Sequence, residues 1–189
     1  SWEKITSSAS LIEHLKDQFE KIGYLPDMVI TGGEPLMYAK DRVFYEVIEA
    51  MVDLGIRITF ETNGTIEIDF EKYPAYRACI FALSLKLSNS AEPKVKRVVP
   101  QALSKIKSYA KETFLKFTID ATLVKSTALD EIRDIQEHLP DVDVYCMPVG
   151  ESRDSIWKND KEVFSFCMQN NFYYSDRLHI RVFDTTQGV

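Results

Sequence analysis

The segment Val29-Ile30-Thr31-Gly32-Gly33-Glu34-Pro35-Leu36 decides the fold, because a β-branched strand runs here directly into two glycines, an acid and a proline. A parallel strand that ends on two glycines leaves bare backbone at its carboxyl end, where α/β folds bind their ligands. Glu34 adds a carboxylate suited to an ammonium group, and Pro35 stiffens the exit from the turn. The segment therefore predicts a ligand site at one edge of a parallel sheet.

Length and composition are those of a globular protein, and we predict one domain spanning residues 1–189. The chain is 45% hydrophobic and 28% charged, and its net charge of −6 argues against nucleic acid as a partner. No apolar run approaches the ~20 residues of a membrane span, and the N-terminus lacks a signal-peptide pattern. Three widely spaced cysteines do not indicate a disulfide framework, so we expect a cytoplasmic protein without membrane contact.

Strands are predicted to begin near residues 28, 57, 80, 114 and 142, a spacing close to the ~30 residues of a βα unit. Helices alternate with these strands. Ser8 is predicted to cap the first helix, and a last extended piece is expected near His179–Phe183. A closed eight-fold barrel needs roughly 250 residues. Because the chain also begins on a helix, we expect a partial (βα)6-type barrel without its first strand. A doubly wound open sheet is the alternative.

Two polar segments follow predicted strands. Asn63-Gly64 after the second strand is typical of a turn, yet Glu61, Thr62 and Asn63 also supply donors and acceptors for a ribose or an α-amino acid. Ser84-Leu85-Lys86 ends the third strand. Its lysine either marks the return of the chain to solvent or meets a carboxylate as a point charge. These segments favour the same sheet edge as the two glycines.

Two further segments have an ordinary interpretation beside a functional one. Val144–Pro148 is either core packing, with Cys146 as a buried hydrophobe, or an apolar shelf for an adenine formed by Met147 and Pro148. The basic run of Lys94, Lys96 and Arg97 is predicted to be a solvated surface.

Four of these blocks together resemble the 7-carboxy-7-deazaguanine synthases, a family of radical S-adenosylmethionine (SAM) enzymes. The blocks are GGEP at residues 32–35, ETNGT at residues 61–65, SLK at residues 84–86, and the terminal run from Leu178 to Val182 with Gly188-Val189. GGEP alone fits many radical SAM families, whereas the other blocks narrow the resemblance, which extends from Val29 to the end of the chain.

The resemblance implies a set of binding residues but no side chain that abstracts hydrogen. It implies SAM contacts from Gly32, Gly33, Glu34, Pro35, Thr62, Asn63, Ser84 and Lys86, with Met147 and Pro148 near the adenine. It also places His179 and the C-terminal carboxylate of Val189 near a pterin substrate. Without the family, His179 is equally an exposed residue of an ordinary strand.

The implied activity is the conversion of 6-carboxy-5,6,7,8-tetrahydropterin to 7-carboxy-7-deazaguanine, a radical ring contraction with loss of ammonia in queuosine and deazapurine biosynthesis. The implied cofactors are SAM, a [4Fe–4S] cluster and Mg²⁺. The implied partners are an electron donor such as flavodoxin or ferredoxin and a second copy of the chain in a homodimer.

The sequence departs from the family in two places. Cys79, Cys146 and Cys167 cannot form the CxxxCxxC loop that holds the cluster, so we expect that this chain lacks the N-terminal cluster segment and is inactive alone. Members of the family often have Ser-Pro-Lys where this chain has Ser84-Leu85-Lys86. Two alternatives stay open: another radical SAM enzyme, such as a glycyl-radical activase, or a non-catalytic α/β module that binds a nucleotide.

Overall fold

The computed structural model describes residues 5–186, which contain six strands that all run parallel. The strands are β1 Met28–Ile30, β2 Ile58–Thr62, β3 Ile80–Leu83, β4 Glu112–Ile119, β5 Val144–Pro148 and β6 Tyr173–Tyr174. Each strand pairs with the strand that precedes it in the chain, giving the order β1-β2-β3-β4-β5-β6. A doubly wound sheet reverses its strand order, so that alternative is wrong.

Helices or 3₁₀ turns lie in every connection between the strands, and one further helix precedes β1 and another follows β6. They are α1 Ser8–Ile22, α2 Arg42–Asp53, α3 Lys94–Arg97, α4 Pro100–Tyr109, α5 Ala121–Val124, α6 Ala128–Gln136, α7 Arg153–Asn170 and α8 Leu178–Phe183, with 3₁₀ turns at Pro35–Tyr38, Pro74–Ala78 and Ser88–Ser90. The cap of α1 is Ser7, whose hydroxyl accepts from the Ser10 amide at 3.3 Å, rather than the predicted Ser8. Within residues 5–186 no helix is long and apolar enough to cross a membrane.

The C-terminal part differs from the prediction. The extended piece expected near His179–Phe183 is the helix α8, and the sixth strand lies earlier, at Tyr173–Tyr174. Leu178, Ile180 and Val182 alternate as in a strand, but only Ile180 is buried. A short helix can bury one residue as well as a strand can, so the alternation of these three residues does not distinguish the two structures.

The core lies between one face of the sheet and the helices. Phe60 of β2 stacks on Phe81 of β3 with ring centroids 5.3 Å apart, and it meets Phe44 of α2 edge-on at 6.3 Å. Successive side chains of a strand point to opposite faces, so the remaining strand residues share the other face. We call this second face the ion-pair face. Its members include Glu61, Ala82, Phe114, Lys116, Tyr145, Met147 and Tyr173.

Candidate ligand site at the strand ends

The carboxyl ends of β1, β2 and β3 lie side by side, because the three strands are parallel neighbours. The backbone ladder continues past β3, where the Ser84 amide donates to the Thr62 carbonyl at 2.7 Å. The structure therefore brings the GGEP loop, the Thr62–Asn63 segment and Ser84 to one edge of the sheet. This is the arrangement that the parallel order of the predicted strands requires.

Gly32 and Gly33 give this edge its exposed backbone. Their φ angles are +92° and +54°, in the region that side chains disfavour, so both positions need glycine. A Cβ atom at either position would have no atom within 4 Å. The space over the two peptides is therefore open.

The Glu34 carboxylate connects the GGEP loop to the end of β2. One oxygen accepts from the Leu36 amide at 3.0 Å and the Thr62 hydroxyl at 2.6 Å, and the other accepts from the Asn63 amide at 2.8 Å. A carboxylate offers about four acceptor positions. Three of them are occupied within the protein, so about one acceptor position of the carboxylate is unused.

Side chains after Glu61 form a tight turn. Thr62 is 2% exposed, and its hydroxyl also accepts from the Gly64 amide at 3.1 Å. The Asn63 side-chain oxygen accepts from the Thr65 amide at 3.0 Å and from the Thr65 hydroxyl at 2.6 Å. The turn interpretation of Asn63-Gly64 is thus confirmed. The Thr62 hydroxyl serves the turn and Glu34 rather than facing solvent.

A cavity of about 330 Å³ opens beside these loops, at the ends of β3, β4 and β5. Its lining includes Ser84, Lys86, Asn89, Ser90, Thr118 and Val149. The Lys86 ammonium pairs with Glu92, and both side chains are about half exposed. Ser84 and Lys86 therefore line the same cavity.

Arg97 and Glu131 hold the loop that carries Lys86, and the sequence did not indicate either role. Arg97 was predicted to be solvated, but its side chain is only 10% exposed and donates to the Lys86 carbonyl at 2.9 Å. Glu131 of α6 accepts from the Ser88 amide at 2.8 Å, the Thr127 hydroxyl at 2.7 Å and Arg97 at 3.3 Å.

Burial alone would raise the pKa of the Glu131 carboxyl. The hydrogen bonds from Ser88 and Thr127 and the charge of Arg97 outweigh burial, so the pKa lies below its ordinary value. Glu131 is therefore ionised across the neutral pH range and keeps its partners bound.

Helix α8, which contains His179, is held beside the carboxyl end of β5. Arg177 donates to the Gly150 carbonyl, just past β5, at 2.6 Å, and Arg181 forms a two-pronged contact with Asp160 of α7 at 2.5 and 2.6 Å. His179 itself is exposed. The second residue expected to meet substrate, Val189, lies outside the described residues.

Met147 and Pro148 end β5, where they pair in register with Thr118 and Ile119 of β4. Because neighbouring strand residues point to opposite faces, only Met147 lies on the ion-pair face. Both residues are buried. An apolar surface for an adenine would involve Met147 rather than the two side chains together.

Comparison of the sequence with those of known proteins finds distant relatives. No protein-family model matches the chain. The 7-carboxy-7-deazaguanine synthase of Rhodopirellula baltica is 28% identical over 205 residues, covering 100% of this chain and 73% of the relative. The chain is a distant relative of the 7-carboxy-7-deazaguanine synthases. The synthase of Halobacterium salinarum is 26% identical over 204 residues, covering 97% of this chain and 75% of the relative.

Solved structures show the same fold at low identity. Streptococcus suis SuiB bound to S-adenosylmethionine superposes with a TM-score of 0.60 at 14% identity, over 94% of this chain and 45% of SuiB. The AdoMet-bound structure of anSMEcpe superposes with a TM-score of 0.56 at 15% identity, over 90% of this chain and 54% of that protein. The six-stranded parallel fold is therefore shared with these two proteins, and the chain spans about half the length of each.

The cysteines of this synthase relative do not fit an iron–sulfur cluster. Cys79, Cys146 and Cys167 are all buried, and burial raises the pKa of Cys79 to about 12. The neighbouring thiol of Cys167 and burial together raise the pKa of Cys146. Among residues 5–186 no group of three His, Cys, Asp or Glu side chains is arranged to hold a metal ion. The three cysteines of the described residues are therefore not arranged as ligands of a cluster.

Proposed function

We propose that this chain is the SAM- and substrate-binding part of a 7-carboxy-7-deazaguanine synthase, which converts 6-carboxy-5,6,7,8-tetrahydropterin to 7-carboxy-7-deazaguanine. One observation carries the proposal: the GGEP backbone stands open beside Asn63 and Ser84, in a chain that aligns along its whole length with such synthases. In this proposal the sheet is a partial barrel, and residues 1–189 act as one domain.

The residues of this chain would bind and orient the ligands. The open peptides of Gly32 and Gly33 would receive the methionine end of SAM, and the remaining acceptor position of Glu34 would meet its ammonium group. Lys86 would release Glu92 to bind the methionine carboxylate or a ribose oxygen. Bound SAM would supply the hydrogen-abstracting chemistry.

Other members of the site would hold the remaining parts of the ligands. Met147 supports an adenine on the ion-pair face, and His179, carried by α8, orients the pterin together with the carboxylate of Val189. The [4Fe–4S] cluster, Mg²⁺, a flavodoxin or ferredoxin electron donor, a homodimer and a cytoplasmic location complete the proposal. The cluster requires thiolates beyond the three buried cysteines of this chain.

The test is an anaerobic assay of the protein encoded by the complete gene, after iron–sulfur reconstitution, with SAM, Mg²⁺, a reductant and 6-carboxy-5,6,7,8-tetrahydropterin. Formation of 7-carboxy-7-deazaguanine, identified by mass spectrometry, supports the proposal. Cleavage of SAM without this product would instead favour another radical SAM activity. The 189-residue chain by itself is expected to bind SAM in calorimetry and to form no product.

A further inference from the structure

An ion pair crosses the ion-pair face of the sheet. The Lys116 ammonium of β4 lies 2.6 Å from a Glu61 carboxylate oxygen of β2, so the two side chains reach each other across the intervening strand β3. In β3 the residue in register with Glu61 is Ala82, whose small side chain leaves room for this crossing. The pair is thus built into the middle of the sheet.

The pair retains unused hydrogen-bonding capacity. The side chains are 19% and 34% exposed, and within residues 5–186 they make no hydrogen bond other than the one to each other. A carboxylate with one partner keeps an entire oxygen free, and an ammonium with one partner keeps two N–H groups. Partly buried ion pairs add little net stability, because desolvation offsets the Coulomb attraction. Stability alone is therefore a poor explanation of this pair.

Aromatic rings adjoin the pair on the same face. Tyr145 of β5 is in register with Lys116, and its ring stacks on Tyr173 with centroids 4.7 Å apart and an interplanar angle of 17°. Phe114 contacts Tyr145 at 5.0 Å. A donor, an acceptor and a flat aromatic surface together are suited to a planar heterocycle.

The pair also lies next to the proposed SAM site. Glu61 directly precedes Thr62, whose hydroxyl binds Glu34, and Lys116 lies two residues before Thr118, which lines the cavity with Ser84. A ligand on this pair would therefore lie beneath the strand ends, within reach of a SAM molecule held above them.

We propose that Glu61 and Lys116 recognise the 2-amino-4-oxo edge of the pterin, an inference that rests on the proposed function. This edge presents N–H donors at N2 and N3 followed by a carbonyl oxygen at C4. The Glu61 carboxylate accepts from the two donors, and the Lys116 ammonium donates to the oxygen. Because both side chains already lie 2.6 Å apart, they are arranged for this edge before the ligand binds.

The test compares two stable ligands on the reconstituted full-length protein with SAM bound. Pterin-6-carboxylate keeps the amino group at C2, whereas lumazine-6-carboxylate has an oxygen there. Glu61→Gln should weaken the binding of pterin-6-carboxylate by roughly 10- to 100-fold, since it removes a charge-assisted contact. It should also shift the preference toward lumazine-6-carboxylate, because the glutamine amide donates to the new oxygen.

The control is Glu162→Gln, which removes the charge of another Lys–Glu pair, Lys125 and Glu162 at 3.2 Å, between helices α5 and α7. It should change neither affinity, and SAM binding should be the same in both variants, which shows that they fold. Equal weakening of both ligands by Glu61→Gln, or no weakening, overturns the inference and leaves the proposed function standing. A wild-type protein that binds no pterin overturns both.

Discussion

Two carboxylates, Glu34 and Glu131, each connect a loop near the strand ends to a neighbouring element. Glu34 takes three hydrogen bonds from uncharged donors, and within the described part of the chain no cation lies within ion-pair distance of it. Glu131 takes its hydrogen bonds from Ser88 and Thr127 and is also paired with Arg97. The charge of Glu131 is thus balanced inside the protein, whereas that of Glu34 is not.

This difference separates a structural carboxylate from one that is available to a ligand. Both carboxylates join a loop to a neighbouring element through hydrogen bonds, so the number of hydrogen bonds alone does not distinguish them. The unbalanced charge of Glu34, next to the open backbone of Gly32 and Gly33, is what favours an ammonium ligand there. At Glu131 the guanidinium of Arg97 already occupies that role.

The largest effect is expected from Glu34. Glu34→Ala leaves three donors without their acceptor, so it should lower the free energy of unfolding by about 3 kcal/mol and abolish SAM binding. Glu34→Gln keeps an acceptor oxygen but removes the charge. It should cost less stability, while SAM affinity falls by roughly 1.5–3 kcal/mol. Urea denaturation and calorimetry measure the two quantities, and wild-type SAM affinity in Glu34→Gln would contradict the role of the charge.

A smaller, pH-dependent effect is expected from Glu131. Its pKa is lower in the folded state than in the unfolded state, so the stabilisation is complete above the unfolded value and is lost as pH falls through the folded one. Glu131→Gln should therefore lower the free energy of unfolding by about 1–2 kcal/mol at pH 7. The difference from wild type should shrink below about pH 4.

Urea denaturation at neutral and acidic pH tests this prediction. An equal destabilisation at both pH values would show that the charge of Glu131 is irrelevant to its role. SAM affinity should fall by no more than a few-fold, since Glu131 is not itself a proposed ligand contact and acts only through the loop that carries Lys86.

The smallest effect on stability is expected from Lys86. Its exposed pair with Glu92 should contribute no more than about 0.5 kcal/mol, so Lys86→Met should unfold almost as wild type does. SAM affinity should nevertheless fall about tenfold, because the cavity loses its cation. Lys105→Met is the matched control. Lys105 forms a similarly exposed ion pair with Glu67, with a nitrogen–oxygen distance of 3.6 Å, and it does not line the cavity. If both variants bind SAM equally well, Lys86 is not a ligand.

The sequence predicted what local patterns determine. The first five strands and the placement of GGEP, Thr62 and Ser84 at one sheet edge follow from apolar runs, turn residues and the geometry of parallel strands. The fold relationship to radical SAM enzymes also followed from short contiguous blocks. These features are encoded within a few neighbouring residues, so a single sequence is sufficient to find them.

Contacts between distant residues could not be predicted in the same way. Arg97 and Glu131 are 34 residues apart, and a run of three basic residues gives no sign that its last member turns inward. Lys116 and Glu61 are 55 residues apart, and only the register of β2, β3 and β4 brings them together. Helix α8 was mistaken for a strand because its alternating residues are too few to define a buried face.

The consecutive strand order has a consequence for biosynthesis. Each strand from β2 to β6 finds a hydrogen-bonding partner in the strand translated just before it. Chain closure between consecutive strands costs less entropy than pairing of remote ones. The sheet can therefore grow strand by strand as the polypeptide leaves the ribosome, with α8 docking last through Arg177 and Arg181. Pulse-labelled nascent chains should gain protease resistance in steps of one βα unit.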